Sequence, residues 1–489
     1  MTAVVLCAIF APWIAPYELG QIDMTRQLEG PSAQHWLGTD AYGRDMYSRI
    51  VWGGRLTVKA ILIALGLWIF RPGGVPYLAG SAVLIAGSVL FGVPLHVVTS
   101  GFTSSGVWVL IPALYLGYAL AKTGLGKRIA YFVLKSFRPG YFTIILSWFI
   151  IGLVLSALTP SITVRLSVVM PIAMNLVEGC GLSYRSRGSA LICLAAWGGA
   201  VLPGTGWLTG SLWGPFMMGF LPPEMKPLAT FEAWFSIMSV PWFIAGILFV
   251  GLVYVLLKPK TPLAVAKESF HEAYRALGRI STREVVTAII LTGALVLFAT
   301  ERYHHIPTAA CAMMAVLALV LSEIITAEDI GKGANWDVII FFGAVVSLSD
   351  IFAHSGISAW IRPFIEPGIL SFARTPLMFL IVVTVGLWII RFVDVPWGFS
   401  TIALTSPLFI PLFEDYGLHP VLVSVAAIAG GNSFFMAYTQ PFIMVSDAIT
   451  AQRAWSSRHV AIAGGLYAVS IIAAMLLSSF YWKAIHVLP

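Results

Sequence analysis

Ile145-Leu146-Ser147-Trp148-Phe149-Ile150-Ile151-Gly152-Leu153-Val154-Leu155-Ser156-Ala157-Leu158-Thr159-Pro160-Ser161-Ile162-Thr163-Val164-Arg165 is an apolar run that stops at a proline and three hydroxyls, then places an arginine one helical turn past Ser161. The apolar part is continuous rather than alternating, so it predicts a helix and not a barrel strand. Runs of the same kind recur at Leu78–Leu95, Phe243–Leu257 and Ala461–Phe480. At roughly 20 residues per crossing they predict about ten to twelve spans. The whole chain agrees: of 489 residues 58% are hydrophobic and 10% charged, against about 25% charged in a soluble domain. The sequence therefore predicts an all-α polytopic protein of the cell membrane, embedded in the lipid bilayer.

The net charge of +7 belongs with cytoplasmic loops under the positive-inside rule and gives no reason to expect a nucleic-acid partner. Lys258–Glu284 carries six of these basic residues, which predicts a cytoplasmic linker. Cys7, Cys180, Cys193 and Cys311 are scattered without metal or redox spacing. There is no Ser-His-Asp grouping, H-E-x-x-H or phosphate loop, so the sequence points away from an enzyme and from a bound cofactor. Asp350 is expected in a helix–helix polar contact and His304-His305 in a solvated loop.

From about residue 60 the chain reads as two related halves. Lys122-Thr123-Gly124-Leu125 in one answers His354-Ser355-Gly356-Ile357 in the other, with the glycines 232 positions apart. The hydroxyl-rich break at Thr159–Thr163 answers Val395-Pro396-Trp397-Gly398-Phe399-Ser400-Thr401, and the prolines that follow, Pro171 and Pro411, are 240 apart. Each half then has a Gly-rich interruption of an apolar helix, Gly198-Gly199 to Gly206 and Gly430-Gly431 to Pro441. Unsatisfied backbone groups are too costly to face lipid, so such breaks must line a cavity or be buried in protein. Paired breaks are the pointer to a binding site near the bilayer midplane. The organisation expected is 60–257 and 285–489 as two repeats, joined by 258–284 and preceded by 1–59.

Two resemblances follow from these residues. His35-Trp36-Leu37-Gly38-Thr39-Asp40-Ala41-Tyr42-Gly43-Arg44-Asp45, with Ser48-Arg49, resembles the N-terminal part of dipeptide and oligopeptide ABC-transporter permease subunits. It covers only residues 1–59, which read as a fused fragment without a function of its own. The remainder resembles the divalent anion:sodium symporters, the di- and tricarboxylate or sulfate carriers. The matching text is Ala121–Arg128, Leu277-Gly278-Arg279-Ile280-Ser281-Thr282-Arg283-Glu284, Asn335-Trp336-Asp337-Val338 and the two hydroxyl-rich breaks.

That second resemblance implies two inverted repeats, each with a re-entrant hairpin and an unwound transmembrane helix, an elevator-like movement, and a homodimer. It implies a small anionic substrate held by Ser161, Thr163 and Thr205 in the first half and Ser400, Thr401 and Thr439 in the second. It also implies Na+ as candidate coupling ion, ligated at Ser161, Gly199 and Thr401. The asparagine of the family's Ser-Asn-Thr signature is Ile162 in one half and Ile402 in the other. Isoleucine has no oxygen for a cation and no donor for a carboxylate, which leaves hydroxyls and backbone amides to hold the anion. Arg165 then reads in two ways: a fixed charge for the substrate that partly replaces a sodium ion, or a structural arginine paired with an acid such as Asp394 or reaching to the interface. The competing functions are an ABC permease subunit and a transporter-derived sensor or scaffold that binds without flux.

Overall fold

The computed structural model describes residues 15–18, 21–159, 161–221, 225–260, 263, 267–355, 375–392 and 418–488. These residues are helical throughout apart from turns and one isolated bridge, Thr39 to Asp45. The main helices are α1 (Met46–Phe70), α2 (Tyr77–Leu90), α3 (Ser105–Thr123), α4 (Leu125–Ser136), α5 (Tyr141–Leu158), α6 (Ile162–Gly179), α7 (Arg187–Val201), α8 (Trp213–Phe220) and α9 (Phe231–Leu257). They continue as α10 (Lys267–Ala276), α11 (Thr282–Ala299), α12 (Thr308–Leu321), α13 (Trp336–His354), α14 (Pro376–Ile390), α15 (Pro420–Gly431), α16 (Pro441–Ile449) and α17 (Ser457–Ala484). Eight of the described helices are long and apolar enough to cross a bilayer, and five shorter apolar segments accompany them. Ser400, Thr401 and Ile402 lie outside the described residues, as do Pro160, Asp394 and Pro411.

The chain groups into two compact units. One is drawn from Met1–Ser104, Ile340–Ser371 and Ala403–Leu412, the other from Ser105–Ile339, Phe372–Ile402 and Phe413–Pro489. In the first unit α1 and α2 pack as a helical hairpin. Trp68 Nε1 donates to Tyr77 O at 3.0 Å, and the ring of Phe341 on α13 stands edge-on to Trp68.

The permease-like residues of this unit build the entry to α1. Asp45 is its N-cap, accepting Ser48 N at 2.6 Å and a hydrogen bond with His35 Nδ1 at 2.9 Å. Asp40 accepts Tyr42 N, Arg44 N and Arg44 Nε at 2.8–3.0 Å. Gly43 holds a φ of +69° where a Cβ would run into Asp23 O, a conformation and a clearance that only glycine supplies. α1 itself continues unbroken through residue 59.

In the second unit α7 is enclosed by α5, α6 and α9, and every residue from Gly188 to Val201 is buried. Its close approach to α5 depends on two glycines: a Cβ on Gly152 would enter Gly199 O, and one on Gly199 would meet Trp148 O. The motif stretches that carry the second resemblance meet each other here. Arg128 on α4 donates through Nε and Nη2 to Glu284 at 2.6 and 3.1 Å, and to the carbonyls of Leu277, Gly278 and Arg279 at 3.1–3.3 Å. The linker thus contains α10, whose end is clamped to α4, with Lys135 Nζ set 3.3 Å over the Tyr274 ring. At the end of α3, Lys122 Nζ and Tyr118 OH both bind Asp329, at 2.5 and 2.7 Å. Asp350 is exposed on α13 rather than buried in a helix contact, and His304 closes a single helical turn, Glu301–His304.

Candidate functional site

Both chain breaks of the second unit are reached by the same logic, an apolar helix that ends inside protein. α5 stops at Leu158, Thr159 is extended, and Ser161 caps α6 by accepting Val164 N at 3.2 Å. α7 stops at Val201 and passes through a 3-10 turn, Pro203–Gly206, before α8. The last carbonyls of α5 and α7 are left without helical partners and carry the negative end of each helix dipole.

Arg165 answers them. Its side chain is fully buried, and its Nε donates to Ala200 O at 2.7 Å while Nη1 donates to Thr159 O and Gly210 O, each at 2.6 Å. Of the alternatives the sequence left open, reaching to the interface does not fit an enclosed group, and pairing with Asp394 lies outside the described residues; the partners described are backbone carbonyls. Nη2 has no hydrogen-bond partner among the described residues. It faces the backbone of Gly204, where a Cβ would collide with it.

Further unpaired polar atoms lie on α5 and on the segment that runs through and past this turn. Ser156 Oγ, Thr205 Oγ1, Trp207 Nε1 and Ser211 Oγ are buried without partners among the described residues. Ser156 O and Trp207 Cβ both abut Gly210, whose own carbonyl binds Arg165. Buried polar groups are paired in the great majority of structures. A charged N–H, hydroxyls and an indole N–H are therefore buried without partners among the described residues in this part of the unit.

Of the residues expected from sequence, Arg165, Ser161, Thr205 and the Gly199–Ala200 segment come together here. Thr163 does not: it is exposed on α6 while Arg165 is enclosed. Of the two described cation candidates, Ser161 Oγ caps α6 and Gly199 lies in the α5–α7 seam, while the adjoining Ala200 carbonyl accepts from Arg165.

The second break is built differently. α14 ends at Ile390 and Arg391, 2% exposed, follows it and donates to Thr439 O. Thr439 Oγ1 turns back to Met436 O at 2.9 Å. α15 ends at Gly431, Asn432 caps it, and Gln440 ahead of α16 donates from Nε2 to Asn432 O at 2.9 Å and to Asn432 Oδ1 at 3.2 Å. α16 packs against α6 and α7, so the second unwound segment lies beside the first hairpin arm. Arg391, Asn432 and Gln440 escaped the sequence reading. Their one signal is polarity within apolar text, which the hydroxyl and proline pattern of the breaks does not include.

Comparison with known proteins agrees with this architecture. Residues 55–488 match the family described as the sodium:sulfate symporter transmembrane region. The chain is 25% identical over 405 residues to a Haemophilus influenzae protein named an uncharacterized transporter, covering 78% of this chain and 82% of that one. It is 25% identical over 294 residues to the L-tartrate/succinate antiporter of Escherichia coli K12, covering 58% of this chain and 60% of that one. Among solved structures, the YdaH transporter of Alcanivorax borkumensis superposes with a TM-score of 0.53 at 17% identity, over 89% of this chain and 99% of that one. At that identity the likeness concerns the fold alone.

Proposed function

The chain belongs to the sodium:sulfate symporter transmembrane family, and from that premise we propose that it is a secondary transporter of the cell membrane that exchanges small dianions, di- or tricarboxylates in class. The observation that carries this is Arg165: a guanidinium enclosed by three carbonyls, with one N–H edge left unpaired beside Gly204. Carbonyl oxygens at helix ends are what a hard cation seeks. Here a tethered cation already occupies two of them, at Thr159 and Ala200, together with the loop carbonyl of Gly210, so the charge that would otherwise arrive with a free sodium ion is built into the chain and faces the anion. The tartrate/succinate antiporter among its relatives fits a carrier that returns by carrying a second anion. Substrate contacts in this reading are Arg165 Nη2, Thr205 and the turn Gly204–Gly206, with Ser161 ordering the hairpin, and Ser400, Thr401 and Thr439 serving the second half. The paired breaks support two inverted repeats, 60–257 and 285–489, moving elevator-fashion in a homodimer.

The test is uptake of labelled succinate, citrate and sulfate into proteoliposomes, with and without an inward sodium gradient and with unlabelled dicarboxylate inside. Uptake that requires internal dicarboxylate and ignores sodium is expected. Uptake driven by sodium alone would replace exchange with symport, and binding without flux would favour a sensor. Arg165→Gln should weaken substrate affinity by about tenfold or more, as loss of a charge-assisted hydrogen bond does; unchanged affinity would overturn the role given to Arg165.

A further inference from the structure

The second break contains an amide whose orientation is fixed from behind. Gln440 accepts Phe442 N through Oε1 at 3.4 Å, which sets which end of its own amide is the donor. Its Nε2 then donates to both Asn432 O and Asn432 Oδ1. With Oδ1 committed as acceptor, the Asn432 side chain must present its NH2 on the opposite side. That Nδ2 has no hydrogen-bond partner among the described residues, although Asn432 is only 3% exposed. A relay of two amides that ends in an enclosed, unsatisfied donor is costly unless something accepts from it.

We propose that Asn432 Nδ2 binds a carboxylate oxygen of the transported dianion, and that Gln440 is the positioning residue that keeps this donor turned toward it. The inference rests on the exchange of dianions proposed above and adds to it the residue that recognises the second carboxylate. The chemistry suits the task. A neutral amide supplies a directed hydrogen bond without a second fixed charge, so it selects for an acceptor at the right distance and not merely for negative charge. It also stands at the C-terminal end of α15, the negative end of the helix dipole, where a donor offsets the repulsion an anion meets.

Gln440→Glu separates positioning from packing. The introduced carboxylate still accepts Phe442 N but cannot donate to Asn432, so the Asn432 amide is expected to turn over and offer its NH2 to that carboxylate. The substrate then meets an oxygen. Asn432→Asp, an isostere, removes the donor directly, and Asn432→Leu removes it with the polarity. The measurement is proteoliposome exchange in the full chain, with KM and kcat for succinate and inhibition by butyrate, a four-carbon acid with one carboxylate.

Each of the three variants should raise KM for succinate about tenfold or more while leaving butyrate inhibition within twofold, so that the preference for two carboxylates over one collapses. An unchanged succinate-to-butyrate preference in Asn432→Asp and Gln440→Glu would overturn the proposal while leaving exchange itself intact. If the wild-type chain exchanges no dianion, the functional reading fails and the proposal falls with it. Should Asn432→Leu not fold, the two isosteric variants decide the matter.

Discussion

The two breaks occupy corresponding places in the sequence, yet they are held together by different chemistry. In the first, a single arginine on α6 gathers carbonyls from three chain segments, at Thr159, Ala200 and Gly210. In the second, the carbonyl of Thr439 is met by Arg391 from the end of α14, and two amides, Asn432 and Gln440, bind one another. The 240-residue offset between the halves would put the counterpart of Arg165 at Thr405, not at Arg391. Among the described residues, the second half therefore meets the problem of unsatisfied backbone with different side chains. The first break concentrates its fixed charge and its backbone support in one side chain, and the second divides them.

That division sets the expected size of lesions. Arg165→Ala strips the donors from three buried carbonyls, each costing about 1–3 kcal/mol when left unsatisfied. Loss of folded protein is expected, read as absence of a monodisperse peak in detergent. Arg165→Lys retains the charge but not the fork of donors, so it should fold with a lower Tm and a raised KM. If Arg165→Ala folds with normal Tm, the guanidinium is not what closes the first break and the contrast between the halves disappears.

A lesion outside both breaks calibrates this. Arg128→Ala leaves Glu284 and three linker carbonyls without their partner, and removing one member of a buried pair costs about 3 kcal/mol or somewhat more. Tm should fall while KM for the dianion stays within twofold. A selective rise in KM would mean that the linker clamp and the first break are coupled. Gly204→Ala has a smaller cost but a sharper target. The added Cβ runs into Arg165 Nη2 and the Gly210 carbonyl, an overpacking worth about 1–3 kcal/mol. KM is expected to rise more than the modest fall in Tm would account for, because the atom displaced is the open edge of the guanidinium.

The sequence made the helices legible through their apolar runs, and the breaks through Pro160, Pro203-Gly204 and Gly430-Gly431, because backbone interruption is written in residue type. It made Arg165 legible as an anomaly but not its partners, since backbone carbonyls have no identity in a sequence. The candidate partners in the sequence are therefore acids such as Asp394, which lies outside the described residues, whereas the described partners are the carbonyls of Ala200, Thr159 and Gly210. Thr163 was chosen for its hydroxyl and its nearness to Ser161. Two residues along a helix is more than half a turn, which is why Thr163 is exposed and Arg165, one turn from Ser161, is not. Asn432 stayed hidden because its significance lies in a hydrogen bond from Gln440, eight residues on and across the break. The motifs at Lys122–Arg128 and Leu277–Glu284 pointed to the family but serve the Lys122–Asp329 contact and the Arg128 linker clamp and not either break.

The smallest effect concerns pH, and it separates the outer scaffold from the breaks. Asp329 accepts hydrogen bonds from Lys122, Tyr118 and Thr326, and the Lys122 ammonium first of all holds its carboxyl far below the ordinary value of 3.8. A carboxyl depressed on folding contributes stability that is complete above the unfolded value and is lost as pH falls toward the folded one. This pair should therefore leave Tm flat between pH 8 and about pH 5 and begin to fail only below about pH 4. Asp329→Asn should lower Tm by the same amount across the neutral range and remove part of the acid-induced fall. Transport in wild-type protein can still vary between pH 5 and 7 through protonation of the dianion itself, and Asp329→Asn should preserve that profile. A transport optimum that moves in Asp329→Asn while Tm does not would place the Lys122–Asp329 contact in the transport cycle, and would end the separation between a static scaffold and the two breaks where binding is proposed.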